Sequence, residues 1–185
     1  MNIDKKITYL FILSLFGWNN LSFAMDSSFA LLDASTQKIV AGLDNAGKTE
    51  YLYWALHKND PLLFEYLIEQ KADIYIKDTY NRTLLHQATR KNCLEIVNLL
   101  VKKGADLYAE DNEGRTALHY AAERGYFEIV QYITEAGAHI YMLTNAKKTA
   151  EDLAFDQNHI KIASYLYNIR QLQNAMSYEK AKNQK

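Results

Sequence analysis

A single cysteine, Cys93, and a single proline, Pro61, occur in 185 residues. One cysteine excludes any intrachain disulfide, so packing has to hold the fold together. One proline leaves every helix start except Asp60-Pro61 without the residue that best pre-sets a first helical turn. An excess of either charge is also lacking: 21 Lys and Arg stand against 22 Asp and Glu, for a formal net charge of −1. That balance excludes both the basic footprint of a nucleic-acid binder and a strongly acidic solvating surface. Metal-ligand spacing is missing as well, because His57, His139 and His159 belong to no H-x-x-x-H or Cys/His pattern. No G-x-S-x-G nucleophile motif occurs, and the acidic residues fall mostly in expected turns or on solvent faces. The sequence therefore gives no positive support to an enzyme, a metal site or a cofactor. What remains is 49% hydrophobic and 23% charged, the composition of one soluble domain with an ordinary core.

The only sustained apolar run lies at the start. Lys5 and Lys6 precede Ile7 to Phe16, Gly17 and Asn19-Asn20 interrupt it, and Ser22-Phe23-Ala24 offers small residues at a cleavage position. This pattern predicts a signal peptide over residues 1–24, cut after Ala24, and a periplasmic or secreted mature chain. The run is short of the roughly 20 apolar residues that span a bilayer, so no membrane span is expected after cleavage; an uncleaved anchor is the alternative. Losing Asp4, Lys5 and Lys6 moves the formal charge from −1 to −2.

The mature chain repeats itself. Asp111 to Tyr126 reads D-N-E-G-R-T-A-L-H-Y-A-A-E-R-G-Y, followed by F-E-I-V; thirty-three residues earlier stands D-T-Y-N-R-T-L-L-H-Q-A-T-R-K-N-C, then L-E-I-V. Twelve positions are identical: Asp78, Arg82, Thr83, Leu85, His86, Ala88, Glu95, Ile96, Val97, Gly104, Ala105 and Tyr108 recur as Asp111, Arg115, Thr116, Leu118, His119, Ala121, Glu128, Ile129, Val130, Gly137, Ala138 and Tyr141. Turn, two apolar segments and a closing G-A recur together, so a whole structural unit is repeated. The pattern resembles the ankyrin repeat family, whose unit runs turn, T-P-L-H-x-A-A, G-H-x-E-I-V and G-A-D. The resemblance implies an all-α solenoid of helix-turn-helix units joined by β-hairpin-like turns.

A degenerate first unit is in register through Leu52, Ala55, Asn59, Leu67, Ala72, Asp73 and Tyr75, and a fourth through Thr149, Ala150, Ala154, Ile162 and Tyr165. The expected organisation is a capping helix within 25–44, four units at about 45–77, 78–110, 111–143 and 144–172, and a polar tail over 173–185. In the capping segment, Phe29, Leu32, Ile39 and Leu43 share one helical stripe, with Ser27 or Ser28 at its start and Gly42 at its end. Such a helix would cover a terminal face that otherwise stays in water. Thr83 and Thr116 are expected to cap the first helices of their units. Leu85 and Ala88 are expected to face inward, with Ile96, Val97, Leu99 and Leu100 filling the layer behind.

Two departures stand out. Leu84, Ala117 and Ala150 replace the family's proline after the capping threonine, and Tyr75, Tyr108 and Tyr141 replace a position more often Asn. The tyrosines either pack along the hairpin layer or form an aromatic recognition strip.

A different chemistry is suggested at Gly42 to Thr49, where G-L-D-N-A-G-K-T satisfies the P-loop pattern in full. In such a loop Gly47 would let backbone amides cradle phosphate, Lys48 would reach the β and γ oxygens, and Thr49 would hold magnesium. No nucleotide fold follows, no base-reading N-K-x-D occurs, and a signal peptide points away from nucleotide-rich compartments. Asp44 to Thr49 also fits the ankyrin turn D-x-x-G-K-T with a one-residue slip. His86 and His119 occupy one repeat position, where the family's histidine supports the hairpin. Cys93, at the entrance of a second helix, reads as a packing residue or as a reactive thiol.

The resemblance implies a non-enzymatic module that binds another protein through turn tips and the solvent side of the first helices. Carried over by alignment, the candidates are Thr79, Tyr80, Arg82, Arg90 and Lys91 in the second unit. In the third they are Asn112, Glu113, Arg115, Glu123 and Arg124. His57 and Lys58 flank them on one side, Lys148, Asp156 and Gln157 on the other. Arg and Tyr anchor interfaces well, which favours Tyr80, Arg82 and Arg115. The strip is basic toward its N-terminal units and would suit an acidic feature on the partner. A purely structural subunit of an envelope complex is the other class left open.

Overall fold

The computed structural model describes residues 34–182. The expected signal peptide and the first part of the expected capping helix lie outside the described residues. Chain contacts divide the molecule into two units, Met1–Ile39 and Val40–Lys185. Of the first, residues 34–39 are described; they belong to helix α1, Ala34–Ala41, which ends at Gly42 as its sequence predicts.

Within the second unit the helices come in pairs: α2 (Asn45–Lys58) with α3 (Pro61–Glu69), α4 (Leu84–Arg90) with α5 (Leu94–Lys102), α6 (Ala117–Arg124) with α7 (Phe127–Glu135), and α8 (Ala150–Asp156) with α9 (Ile160–Lys182). No strand occurs among the described residues; one isolated antiparallel bridge, Lys77 with Thr83, closes a turn. Most of these helices run only 7 to 9 residues, well below the length at which an isolated helix persists in water. Packing therefore has to hold them. Each first helix lies beside the next (α2, α4, α6, α8), each second helix beside the next (α3, α5, α7, α9), and the members of a pair pack together.

Small residues set the spacing of the first layer. Ala55, Ala88, Ala121 and Ala154 are all fully buried at one repeat position, beside Leu52, Leu85 and Leu118. Behind them Ile96, Val97 and Leu100, then Ile129, Val130 and Ile133, are sealed from solvent. Leu99 is only half buried. The period is written most plainly in the backbone. Among the described residues, every residue with positive φ falls in one of three rows: Asn59, Asn92, Gly125 and Asn158 between paired helices; Lys71, Gly104 and Gly137 after second helices; Asn81, Gly114 and Lys147 in the hairpin turns. Asn and Gly adopt this left-handed conformation at least cost. At Gly114 and Gly125 there is a second reason. A Cβ on Gly114 would stand 2.8 Å from Asn145 Oδ1, and one on Gly125 would stand 2.7 Å from the His159 ring.

Both ends depart from the pattern. Asp44 to Thr49 is not a hairpin turn: Asp44 caps α2, which begins at Asn45 and runs through the positions that form turns in later units. Asn45, Gly47 and Thr49 are weak helix formers, but Asp44 Oδ1 accepts the Gly47 amide and caps a helix instead of closing a loop. At the other end, Arg170 stands where Gly104 and Gly137 stop the preceding second helices, and α9 continues to Lys182. Residues 173–182, expected as a polar tail, are thus helical. Glu151 replaces the buried leucine of earlier units and pairs with Arg170 at 3.0 Å. Phe155 is 68% exposed at the position where Leu56, Thr89 and Ala122 are buried, and among the described residues no further unit covers it.

Leu118→Ala should cost about 2–5 kcal/mol of stability, as truncating a fully buried leucine does, whereas Leu172→Ala, on the exposed extension of α9, should stay within about 0.5 kcal/mol. Urea unfolding of the two variants checks the contrast; equal losses would contradict this assignment of the core.

Candidate partner-binding surface

The long turns are organised by one side chain each. Asp78 Oδ1 accepts the amides of Tyr80 (2.9 Å) and Arg82 (3.0 Å), and Asp111 Oδ1 accepts those of Glu113 (2.8 Å) and Arg115 (2.9 Å). In the fourth unit Thr144 Oγ1 does part of this work, accepting the amide of Lys148 at 3.2 Å. Main-chain bonds close each loop, from the Asp78 amide to the Arg82 carbonyl and from the Asp111 amide to the Arg115 carbonyl, both 3.0 Å. The tips are then tied to one another. The Asn112 amide donates to the Tyr80 carbonyl (3.1 Å), and the Asn145 amide donates to the Glu113 carbonyl (2.9 Å).

Buried histidines add bonds at a second level, and His86 ties its unit to the next. The Thr83 amide donates to His86 Nδ1 (3.1 Å), which leaves Nε2 as the protonated nitrogen, donating to the Arg115 carbonyl of the next unit (2.9 Å). His119 accepts the Thr116 amide (3.0 Å) in the same way, but its Nε2 meets the Met142 carbonyl (3.0 Å), at the end of its own unit and one period beyond Ala109 rather than Arg115. Thr83 also accepts the His86 amide, as its expected capping role requires, at a long 3.5 Å; at Thr116 the bond that forms is the reciprocal one. Burial pushes the pKa of both histidines below the usual value, against the pull of the carbonyls they serve. In the fourth unit Asp152 takes the histidine's place and bonds within its own capping box, to Thr149.

The ten candidate residues separate by their bonding. Arg82 pairs with Asp78 Oδ2 through Nη2 (2.7 Å) and Nε (2.8 Å) and lies 4.5 Å above the Tyr80 ring. Arg115 bridges Glu113 (3.0 Å) and Glu123 (2.8 Å), and Lys148 pairs with Asp156 (3.1 Å). Arg90 and Arg115 both approach the ring of Tyr120 at 5.7 Å. That tyrosine donates to Asp111 Oδ2 (2.5 Å), and burial together with this bond raises its pKa to about 12. Arg82 and Arg115, leading candidates from sequence, are therefore half-buried struts of their own turns, and reversing their charge would disturb the fold as well as the surface. Thr79, Tyr80, Lys91, Asn112, Glu113 and Arg124 are exposed, as are His57, Lys58, Asp156 and Gln157. A shallow hollow lined by Glu113, Arg115, Asn145 and Lys148 lies between the third and fourth turns.

The P-loop reading is overturned. Gly47, Lys48 and Thr49 lie inside α2, not in a loop. Asp44 Oδ1 already occupies the Gly47 amide (2.9 Å), Lys48 Nζ donates to the Gln70 carbonyl (2.9 Å), and Thr49 Oγ1 donates to the Asn45 carbonyl (2.9 Å). The loop of amides that cradles a phosphate is therefore not formed by Gly47 to Thr49. Cys93 is buried, within 3.8 Å of the Leu56 carbonyl, and burial raises its pKa; it behaves as a packing residue. Tyr75, Tyr108 and Tyr141 are 64%, 50% and 40% exposed. The rings of Tyr108 and Tyr141 do not stack on each other: His139 stands between them, edge-on at 6.1 Å from each. Among the described residues no three of His, Cys, Asp and Glu gather as metal ligands, and no helix is long and apolar enough to cross a membrane.

A family model described as ankyrin repeats (3 copies) matches residues 30–111, 52–144 and 110–176. No curated protein matches the chain.

The two histidines generate a pH dependence. Their folded-state pKa values lie below the unfolded value near 6.5, so at mildly acid pH the unfolded chain binds protons that the folded chain refuses. Stability should be fully present above that value and fall as pH drops from 7 to 5. Urea midpoints across that range check it; a flat profile would contradict the neutral, doubly bonded histidines.

Proposed function

The chain belongs to the ankyrin repeat family, and on that premise we propose that it is a non-enzymatic binding module that holds another protein along its turn tips and the ends of its first helices. Modules of this family generally mediate protein–protein interaction. The observation that supports the assignment of the face is the state of the tips. Their main chains are bonded to one another from unit to unit, while Thr79, Tyr80, Asn112 and Glu113 stay exposed. A fixed backbone that presents exposed side chains loses little entropy when a partner arrives. Tyr80, 60% exposed, is the aromatic anchor, and the exposed cations Lys91 and Arg124 give the face its preference for an acidic partner.

The same proposal puts the mature chain in the periplasm or outside the cell. Its N-terminus, sequenced after export, should then be Met25; retention of residues 1–24 would contradict it.

Affinity capture from the chain's own cellular source tests the surface. The Tyr80→Ala/Lys91→Glu/Arg124→Glu variant should lose a specifically bound protein, while Lys102→Glu/Lys103→Glu, on exposed positions at the end of the second helix α5, should keep it. Equal retention by both variants, or loss only in the second, would refute the assignment.

A further inference from the structure

Two columns of cations recur through three successive units at the 33-residue period: Arg82, Arg115 and Lys148, and Lys58, Lys91 and Arg124. Every member of the first is matched by a carboxylate, from Asp78, from Glu113 and Glu123, or from Asp156. Among the described residues no member of the second forms an ion pair, and all three are exposed at the ends of first helices. Two nearby acids that could serve the second column are engaged elsewhere. Glu123 holds Arg115, and Asp60 Oδ1 accepts the Leu63 amide at the start of α3. The column stops where the sequence changes, at Gln157. A cation at a helix C-terminus also offsets the helix dipole, but that role asks for no particular partner and would serve α8 as well as α6.

We propose that Lys58, Lys91 and Arg124 form three charge sockets, in repeat register, for an extended acidic segment of the partner that carries a carboxylate at every third residue in a polyproline II conformation. This rests on the reading of the turn tips and first-helix ends as the partner surface. Helices packed side by side stand about 8–10 Å apart, which sets the spacing of the sockets. A polyproline II chain has three residues per turn and rises about 3.1 Å per residue, so every third side chain returns to one side after about 9 Å. A β-strand returns a side chain to the same face after about 7 Å and falls out of step. An amphipathic helix needs an apolar groove, and the positions flanking the column, His57, Asn59 and Asn92, are exposed and polar. A polyproline II segment keeps its backbone solvated and asks only for side-chain contacts.

The probe is a labelled twelve-residue peptide of Pro and Ala with Glu at positions 3, 6 and 9, compared with an isomer carrying Glu at 3, 5 and 7. Binding to the protein at low salt should be at least about fivefold tighter for the matched peptide. Each of Lys58→Gln, Lys91→Gln and Arg124→Gln should weaken it about two- to fivefold, as exposed ion pairs do, and the triple variant by an order of magnitude or more, with the melting temperature held. Higher ionic strength should erase the difference. Equal binding of the two peptides, or a matched peptide indifferent to the triple variant, overturns the proposal. So does a twelve-nucleotide oligothymidylate that competes as well as the matched peptide. If the peptides fail while the captured partner is still lost in Tyr80→Ala/Lys91→Glu/Arg124→Glu, the inference falls and the binding surface stands; if that loss is absent too, both fall.

Discussion

The Nε2–H of His86, donating to the Arg115 carbonyl of the next unit, is the bond on which the rest of the arrangement turns. A helix pair this short cannot bury its own apolar face and must stack on a neighbour. The stacking has to keep register while leaving no main-chain group of the long turn unpaired. One imidazole satisfies both demands, accepting from its own capping threonine and donating across the gap. His119 accepts from its own threonine likewise, and donates to the Met142 carbonyl at the far end of its own unit. Where there is nothing further to reach, Asp152 replaces the histidine, Glu151 replaces the leucine and Arg170 replaces the terminating glycine. The chain ends its stack by changing the residues that would continue it.

Register carries over into surface chemistry. A period fixed by buried bonds places equivalent exposed residues at equal intervals, so the chain can spend one cation column on internal pairing and leave another unpaired. Arg82, Arg115 and Lys148 hold turns and helix ends in place. Lys58, Lys91 and Arg124 hold nothing among the described residues. Side chains of one chemical type thus divide by whether a carboxylate lies within reach, and the division repeats unit by unit.

Much of the fold was legible in sequence because its signals are periodic. Leu85 and Leu118, Ala88 and Ala121, the T-x-L-H histidines and Gly104 with Gly137 report buried or left-handed positions that tolerate few other residues. Pairing was not legible. Nothing in the letters distinguishes Arg82 from Lys91, since whether an arginine meets an aspartate four residues earlier depends on the turn that the aspartate itself builds. The G-x-x-x-x-G-K-T pattern is a chance match for a related reason. A P-loop is defined by free amides at a loop, and in this chain the Asp within the pattern caps a helix and takes the Gly47 amide. The end of α9 was missed because lysine-rich polarity was weighed above the absence of a helix terminator at Arg170.

The central claim, that partners bind along the tips and the ends of the first helices, is tested most directly by amide hydrogen exchange of the protein alone and with its captured partner. The account predicts added protection at residues 79–82 and 112–115 and at the C-terminal ends of α2, α4 and α6, with α3, α5 and α7 unchanged. Protection confined to those second helices, or to α9, would contradict it.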